Sequence, residues 1–515
     1  MEKQVSFDQI SKLTKIDNLS RQDLIQRNSI LEGELARVIK ENYELRNLKI
    51  TDAQLQLILQ EQLGELRNTI YGSSSERYKK SDRPKEPAGP PKPRVKKPSE
   101  RYPQLPVVER VITMDPVPSC VCCQSVMEDS GMTEDSEQLT VIPKKYEIIL
   151  QKRKKYRCSK CHGDIQTSPA PARIIEGSSY SDEMIQDVAL SKYCDLIPLE
   201  RYAAMAARCG VMDIPPHSLI ELTHQYADFV IRAYYGLKHK VVLARVLRAD
   251  ETPHKMLEGS ETKSWFLWGF STEKVCYLEC HDTRSGDVAS DVLMNSKCEV
   301  LVTDVYSGYG KAIKEVNKQR FEKKETLIKS GYCNAHARRY FFKARVNHPE
   351  AEFYLEQYHE IYKLNAQAKG KPPDQVLELR QSMKPCFKVM KDKALEDLVK
   401  YPEKNKFFKA MAYLINNYQG LTLFLEDAEV PIDNNAQERL LRSHVVGRKT
   451  WYGTHSERGA KTAAILFSLV ESCKLNQVNP REYFEQLTKD LLQGKKAYTP
   501  DDFKKLSIPG PEGPV

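Results

Sequence analysis

The 515-residue sequence has no long apolar run and no secretory signal. No stretch reaches the roughly 20 consecutive apolar residues that a membrane-spanning helix needs, which argues against an integral membrane protein. Residues 1–13 (MEKQVSFDQISKL) lack the apolar core and the small-residue cleavage site of a signal peptide. We therefore expect a protein of the cytoplasm that makes no membrane contact.

The 13 cysteines form an odd set in a long chain that lacks a signal peptide. Disulfide frameworks are typical of small secreted domains, so these thiols are expected to stay reduced, and some of them to bind metal. The net charge of +9 is compatible with nucleic-acid binding but too common to indicate it. A chain of this length is also expected to form two or more structural units.

Heptad spacing marks residues 24–70. Leu24, Leu31 and Leu45 fall seven residues or a multiple of seven apart, and the companion positions include Asn28 and Asn42. Leucine at one seam position with occasional asparagine at the other predicts an N-terminal coiled coil within residues 1–71 that pairs chains. The alternative is a single amphipathic helix that packs on its own protein.

Residues 72–106 are rich in proline and basic residues and nearly lack apolar ones. Such a segment cannot bury enough surface to fold, so we predict a semi-extended linker. Its positive charge could follow phosphates, although a solvated tether is the simpler interpretation.

Two cysteine pairs lie in residues 107–170, on either side of a strand-like stretch at 139–157. Pairs of this spacing on hairpin arms are how a zinc ribbon presents four thiolates to the metal. The gap between the pairs exceeds the common 15–20 residues, and two unrelated cysteine pairs are the alternative. The predicted zinc ligands are Cys120, Cys123, Cys158 and Cys161, with Cys122 and His162 as spare donors.

Residues 171–240 have a helical pattern, interrupted by Gly210 and Pro215. Two helices joined by a short connection have the outline of a helix-turn-helix, which would bind DNA. Any helical hairpin looks similar, so these residues alone favour a structural helical subdomain.

From residue 241 the pattern changes to strands, which gives an α/β fold class. The predicted order is three strands, a helix, and a fourth and a fifth strand, at residues 241–252, 264–272, 274–283, 285–295, 298–310 and 326–333. This order predicts a ribonuclease-H-like core. Its first and fourth strands should be neighbours.

Asp250 and Asp304 end the first and fourth predicted strands and could therefore face one metal cluster. A strand-end aspartate is more often a turn or helix cap, so neither residue alone carries much weight. Nearby alternatives are Glu251, Asp282 and Asp287. If the first strand continues, Glu251 should point to the opposite face of the sheet.

Residues 430–454 place Glu438 on a predicted helix among four cations: Arg439, Arg442, Arg448 and Lys449. A carboxylate among cations suits a site that holds divalent metal against DNA phosphate. The alternative is a capping box, with Asn435 at N-cap and Glu438 at N3, which involves no catalysis. Helix-surface cations are also often merely solvated.

Residues 348–428 are predicted to be a helical insertion between the fifth strand and the Glu438 helix. Just before it, Cys333 and His336 could bind metal, but no second pair lies close by in sequence, so we interpret them as buried structural residues. Residues 456–515 are predicted to be a C-terminal segment with a core helix and a frayed tail.

These segments together resemble the large transposase of the bacterial insertion-sequence family sixty-six, in the family's order and over nearly the whole chain. The matching motifs are YGSSSERY, the two cysteine pairs, LSKYCDLIPLERY, RADETPHKM, TDVYSGYGK, YCNAHARRYF and IDNNAQERLLRSHVVGRKTWYGT. One departure is Ser74, where the family often has a basic residue. This departure concerns phosphate contact and not the chemistry.

The resemblance implies a DDE recombinase with Asp250, Asp304 and Glu438 as catalytic acids and with residues 241–455 as the catalytic domain. We expect two Mg²⁺ ions (or Mn²⁺), structural Zn²⁺, double-stranded DNA of transposon ends and target as partner, and a homodimer or higher oligomer. Accessory proteins of the same element are a further expectation. The rival functions are a DNA-binding regulator with an inactive core and a nuclease that never rejoins DNA.

Overall fold

The computed structural model of the protein describes residues 32–41, 55–56, 59, 97–129, 131–160, 165–257 and 264–507. Within these ranges no helix combines the length and the apolar composition that crossing a bilayer requires. The chain divides into two units, one formed by Ser73–Leu150 and the other by the rest of the chain.

The predicted coiled coil is only partly covered by the described residues. Residues 32–41 are helical, as the heptad pattern predicts. Leu24, Leu31 and Leu45 lie outside the described residues, so pairing of chains through this segment stays a prediction. The tail beyond residue 507 also lies outside them.

The smaller unit contains a short helix, α1 (Pro98–Arg101), inside the predicted linker. The helix forms because Pro98 suits the first helical position and Ser99 is held by the Glu137 carboxylate, 2.9 Å from its backbone nitrogen. The expectation of an unfolded linker is therefore wrong for this segment.

The same unit holds the first cysteine pair in a tight loop. The Cys120 amide donates to the Ser125 carbonyl at 2.8 Å, and the Gln124 amide donates to the Cys120 carbonyl at 2.9 Å. The predicted strand over residues 139–150 is wrong. In the described part of this unit no strand pairs with that stretch, and apolar side chains such as Ile142 and Ile148 remain exposed.

After residue 150 the larger unit continues with a small antiparallel hairpin followed by helices. The hairpin pairs β1 (Lys155–Arg157) with β2 (Ile165–Thr167). The helical character of this segment was predicted, and it forms four helices: α2 (Asp182–Tyr193), α3 (Leu199–Arg208), α4 (Pro216–Phe229) and α5 (Ile231–Leu243).

A five-stranded mixed sheet follows. Its strands are β3 (Val246–Lys255), β4 (Ser264–Ser271), β5 (Cys276–His281), β6 (Val300–Thr303) and β7 (Lys329–Tyr332). The order across the sheet is β5-β4-β3-β6-β7. The β3–β4 and β4–β5 pairs are antiparallel, and the β3–β6 and β6–β7 pairs are parallel. The predicted first and fourth strands, β3 and β6, are thus neighbours.

The predicted bounds of the first strand are wrong at both ends. Helix α5 continues to Leu243, so the apolar residues at its end belong to a helix and not to a strand. At the other end, pairing with β4 carries β3 past Asp250 to Lys255, and Asp250 lies in the middle of the strand. Asp304, in contrast, follows the last residue of β6 directly.

The remaining helices connect the strands and form the insertion, whose helical character is confirmed. They are α6 (Asp287–Met294), α7 (Ser307–Glu322), α8 (Asn334–Ala344), α9 (Ala351–Gln367), α10 (Pro373–Gln381), α11 (Lys384–Leu398), α12 (Lys406–Asn416), α13 (Tyr418–Thr422), a 3₁₀ turn (Leu423–Leu425), α14 (Asn435–Trp451), α15 (Glu457–Leu475), α16 (Pro480–Leu492) and α17 (Pro500–Ser507). An aromatic core that includes Phe341, Tyr354 and Phe407 joins α8 to the insertion.

Helix α15 covers the outer edge of β5 and is buried along most of its length, as predicted for a core helix. The Ser472 hydroxyl accepts the Cys276 amide and the Ser468 hydroxyl accepts the Leu278 amide, both at 2.9 Å. These serines satisfy backbone donors that an edge strand would otherwise leave unpaired.

Helix α4 is also tied to α15. His224 Nδ1 lies 2.7 Å from Thr462 Oγ1, and Leu219 and Tyr226 of α4 are fully buried. This helix therefore has a structural role in the larger unit, as the sequence of the segment alone favoured. Its contact with DNA stays a prediction.

Candidate functional site

Asp250 lies on the face of β3 that is turned towards α14. Its neighbours on that face contact the helix: Thr252 Oγ1 lies 3.2 Å from Arg448 Nη1, and His254 Nδ1 lies 2.8 Å from His444 Nε2. Since residues i, i+2 and i+4 of a strand share one face, Asp250 faces α14 as well.

A glycine allows α14 to approach this face closely. Gly269 of β4 is the direct cross-strand partner of Asp250. A Cβ atom at this position would lie 2.1 Å from Gln437 Nε2 and 3.3 Å from Leu441 Cδ2. A larger residue would therefore force at least the Gln437 side chain of this helix to move.

Helix α14 is also fixed to β3 at both ends. At its start, Asn434 Nδ2 donates to the Ala249 carbonyl at 2.8 Å. After its end, the Thr454 amide donates to the Lys255 carbonyl at 3.1 Å. Gly453 has φ +132°, and a Cβ there would lie 2.1 Å from the Lys255 oxygen. The position of Glu438 relative to Asp250 is therefore set by backbone contacts of one strand.

The chain that leads from the insertion into α14 is held by a buried arginine of α10. The Arg380 Nη1 group donates to three backbone carbonyls, those of Phe424 (2.9 Å), Asp427 (2.6 Å) and Val430 (2.9 Å). Hydrogen bonds from the insertion thus fix the position of the chain at the start of α14.

The capping-box interpretation of Glu438 is wrong. The N-cap residue of α14 is Asn434 and not Asn435, and the Asn434 side chain makes no capping hydrogen bond. Instead the Asn434 side-chain amide contacts β3. The backbone amide of Asn435 donates to Asp433 Oδ1 at 3.1 Å. The Glu438 carboxylate is left for another role.

The three predicted acids lie near enough to affect one another's ionisation. Burial first, and then the charges of Glu251, Asp304 and Glu438, raise the pKa of Asp250 to about 8. Burial and the Glu251 charge likewise raise the pKa of Asp304. Asp250 of β3 therefore lies within electrostatic range of Asp304, at the end of β6, and of Glu438, on α14.

Glu251 is a fourth carboxylate whose partners sequence reasoning missed. Its side chain is 2% exposed, and its oxygens lie 2.6 Å from Arg284 Nη2 and 2.6 Å from Tyr309 Oη. Alternation along β3 puts it on the other face from Asp250, as predicted. Asp282 and Asp287 are exposed.

Buried oxygens without donors mark this site. Asp304 Oδ1 and Glu438 Oε1 are inaccessible to solvent and have no hydrogen-bond partner among the described residues. Carboxylates that repel one another and lack donors are the setting in which a divalent cation is bound, since the cation offsets both costs. The residues present therefore fit Mg²⁺ or Mn²⁺.

Cys333 and His336 lie beside Glu438. Cys333 is buried at the N-cap of α8, and His336 follows in its first turn. His336 Nδ1 is 3.8 Å from Glu438 Oε1. One candidate ligand atom from each of Cys333, His336 and Glu438 lies within 4.8 Å of the others. Glu438, which is distant in sequence, thus adds a third possible metal ligand to Cys333 and His336.

The four predicted DNA-binding cations all lie on α14 but differ in exposure. Arg439, Arg442 and Lys449 are exposed on α14. Arg448 is half-buried, and its Nη1 donates to Thr252 of the sheet. Three of the four cations are thus placed to meet an external anion, and their binding to DNA stays a prediction.

The zinc ligands remain a prediction. Cys120 and Cys123 lie in the tight loop of the smaller unit, and Cys158 follows β1 of the larger one. Cys161 and His162 lie outside the described residues.

Comparisons with known proteins point in one direction. A family model described as "Transposase IS66 family" matches residues 177–462, more than half of the chain and all three predicted acids. The chain is also similar to uncharacterized proteins of Sinorhizobium fredii (strain NBRC 101917 / NGR234). It is 26% identical to y4qI over 505 residues, which cover 94% of this chain and 89% of y4qI. It is 24% identical to y4hP over 400 residues, which cover 73% of this chain and 70% of y4hP.

Proposed function

Because the chain belongs to the Transposase IS66 family, we propose that it is a DNA transposase that cuts the ends of an insertion sequence and joins them to target DNA. The catalytic acids of this proposal are Asp250, Asp304 and Glu438.

The observation that supports the proposal is that Asp250 is buried within electrostatic range of the other two acids, which come from elements far apart in the chain. Two of them present buried oxygens without donors, and the third has its pKa raised to about 8 by burial and by its acidic neighbours. The strand order β5-β4-β3-β6-β7, with three antiparallel strands followed by two parallel ones, supports a ribonuclease-H-like core.

In this mechanism the three carboxylates would hold two Mg²⁺ (or Mn²⁺) ions, whose chemistry would be activation of the attacking hydroxyl and stabilisation of charge on the leaving oxygen of the phosphodiester. Asp250 serves as a ligand only when ionised, so its carboxyl group must release a proton when a cation binds. Glu251 is held by Arg284 and by the Tyr309 hydroxyl and supports the site from the other face. Arg439, Arg442 and Lys449 attract the DNA backbone through its phosphates.

The rest of the chain supplies assembly and DNA contacts in this proposal. The N-terminal segment pairs subunits, so that a homodimer or higher oligomer holds both ends of the element. The region with Cys120, Cys123, Cys158 and Cys161 binds structural Zn²⁺, and with the helices of residues 171–240 it contacts double-stranded DNA. The protein acts in the cytoplasm, with accessory proteins of the same element as further partners.

The test is an assay with DNA that carries the ends of the element, in Mg²⁺, for the parent protein, Asp250→Asn, Asp304→Asn and Glu438→Gln. Each variant keeps the side-chain size and removes one charge, so cleavage and joining should both fall by about 10³-fold or more. DNA binding should persist, since phosphate contacts come from cations. Double variants should be scarcely worse than single ones.

Asp282→Asn is the matched control, because it removes an exposed acid from the same part of the chain and should leave activity unchanged. Normal cutting by Glu438→Gln would refute the assignment of the third acid. Cut ends without joined products from the parent would identify a nuclease and overturn the transposase proposal.

A further inference from the structure

The group formed by Cys333, His336 and Glu438 offers one donor of each of three kinds: sulfur, imidazole nitrogen and carboxylate oxygen. One candidate ligand atom of each residue lies within 4.8 Å of the other two. This mixed set differs from the acid site of Asp250 and Asp304, which offers oxygen only. Mg²⁺ prefers hard oxygen ligands, whereas thiolate and imidazole select Zn²⁺ and related transition metals.

The local fold of α8 brings the first two donors together. Cys333 is the N-cap residue and His336 lies in the first turn, so a three-residue spacing puts both on one side of the helix start. Spacing of this kind is common among zinc ligands that come from a single turn.

The third donor comes from α14, about a hundred residues later in the chain. Glu438 Oε1 is 3.8 Å from His336 Nδ1, and both atoms are buried without a hydrogen-bond partner in the described residues. Two ligands of one tetrahedral ion with bonds of about 2.0–2.1 Å lie about 3.3–3.4 Å apart, so a small approach of the two side chains would allow both to bind one ion. Two polar atoms that face each other without donors need a cation or a proton between them.

The sulfur is supported in a way that suits a metal-bound thiolate. The Asn434 amide donates to Cys333 Sγ at 3.2 Å, and the sulfur lies at the start of a helix, where backbone dipoles favour negative charge. Asn434 is also the residue that ties α14 to β3 through the Ala249 carbonyl. Asn434 thus holds the sulfur through its backbone amide and β3 through its side chain, which fixes the sulfur relative to the helix that carries Glu438.

We propose that Cys333, His336 and Glu438 form a site for one Zn²⁺-class ion, separate from the Mg²⁺ site of the three acids and sharing only Glu438 with it. Three protein ligands leave a fourth position for water, as in zinc sites that are open to exchange. Binding releases the thiol proton to solvent. Since Glu438 cannot serve both ions fully, occupation of this site by Zn²⁺ lowers DNA cleavage; this consequence rests on the proposed function, and the metal binding itself does not.

The first experiment measures binding without DNA. Full-length protein is stripped of metal and titrated with Co²⁺ in excess Mg²⁺, and absorption and bound cobalt are followed for the parent, Cys333→Ser, His336→Gln and Glu438→Gln. The other predicted cysteine ligands also take up Co²⁺, so the result is the difference from the parent. We expect each of the three variants to bind one Co²⁺ fewer per chain, and Cys333→Ser to lose part of the thiolate-to-cobalt absorption.

Cys386→Ser is the matched control, because it removes another thiol of the larger unit that is not part of the group. It should bind as much Co²⁺ as the parent. If Cys333→Ser does not fold, His336→Gln and Glu438→Gln decide, since these side chains are half-buried and the changes conserve size. Equal cobalt content and spectra in the parent, His336→Gln and Glu438→Gln would overturn the proposal.

A second experiment adds Zn²⁺ to the DNA cleavage assay in Mg²⁺. We expect the parent to lose at least tenfold in rate at Zn²⁺ concentrations that leave His336→Gln unaffected. Inhibition of both proteins to the same extent would overturn the link between this site and activity. A parent that binds the extra Co²⁺ but never cuts DNA would instead refute the proposed function and leave the metal site standing.

Discussion

The insertion and the acid site both bury charge, but they treat it in opposite ways. In the insertion, the Arg380 guanidinium donates to three carbonyls and by doing so holds the chain that enters α14. In the acid site, Asp250 has acidic neighbours, and Asp304 and Glu438 keep buried oxygens without donors. The first arrangement stabilises the fold. The arrangement of the acid site lowers the stability of the fold unless a cation binds to these carboxylates.

This contrast separates structural from functional polar residues within one unit of the protein. A buried group with satisfied hydrogen bonds should make the protein less stable when removed. A buried group that faces like charges should make the metal-free protein more stable when neutralised. The sign of the stability change therefore distinguishes the two classes.

The largest stability loss is expected for Arg380→Met. Three carbonyls, two of them buried, would lose their donor, while the cost of burying a charge would disappear, and the balance should be a loss of about 3 kcal/mol in unfolding free energy. Urea denaturation measures it. Arg208→Met removes an exposed arginine and should change the free energy by less than about 0.5 kcal/mol. If Arg380→Met also changed the unfolding free energy by less than about 0.5 kcal/mol, Arg380 would not be a structural residue, and the contrast with the acid site would fail.

The opposite sign is expected for Asp250→Asn. The pKa of Asp250 is about 8 in the folded protein and close to 3.8 when unfolded, so the folded state binds the proton more tightly. Metal-free parent protein should therefore lose stability as the pH rises from about 4 to about 8. Asp250→Asn removes this loss and should be more stable than the parent by several kcal/mol at pH 8, and equal to it at pH 4.

Melting curves in chelator at the two pH values check this prediction, and Asp282→Asn should follow the parent. Mg²⁺ should narrow the gap between the parent and Asp250→Asn at pH 8, because it binds only the parent's complete set of acids. An Asp250→Asn protein that is less stable than the parent at pH 8 would place Asp250 with the structural residues.

A smaller effect of pH is expected from the histidine pair that joins β3 to α14. Burial and the Arg448 charge lower the pKa of His254 to about 4, and burial with the charges of His254 and Arg448 lowers the pKa of His444. Because the pKa values of both histidines are lowered by folding, their contribution to stability is fully present above about pH 6.5 and is lost as the pH falls towards 4.

In the Asp250→Asn background, unfolding free energy should therefore fall by about 1–2 kcal/mol between pH 6.5 and 5. Adding His444→Gln should make this slope shallower, whereas His217→Gln, which changes an exposed histidine, should not. An unchanged slope with His444→Gln would show that the acid sensitivity arises elsewhere.

The smallest effect is expected for Ser468→Ala at the covered edge of the sheet. Its hydroxyl accepts the Leu278 amide, which would be left buried without an acceptor, at a cost of about 1 kcal/mol. Ser382→Ala, on an exposed turn, should cost less than about 0.5 kcal/mol. Equal values for the two serines in chemical denaturation would mean that the edge contact adds nothing.

Much of the fold followed from local patterns. Five strands, the helical insertion and the core helix α15 were predicted from apolar periodicity, which reports burial of a face directly. The start of β3 was not, because the residues Val241–Leu243 are as apolar at the end of a helix as they would be in a strand. Residues 139–150 read as strand but have no described strand to pair with.

The acid site was predictable only in part. Asp304 was found because a residue that follows a buried strand stands out. The Arg284 and Tyr309 contacts of Glu251, and the position of Glu438 beside Cys333 and His336, depend on contacts between distant segments. A single sequence holds no periodic signal for such contacts.

The attachment of α14 to β3 has a consequence for synthesis. Glu438 follows Asp250 by 188 residues. At roughly 5–20 residues per second, the ribosome needs roughly 10–40 seconds to add the third acid after the first. During that interval the nascent chain carries β3 and β6 without their partner helix. An unfinished polypeptide, or one truncated before α14, therefore has no complete acid site near any DNA it meets.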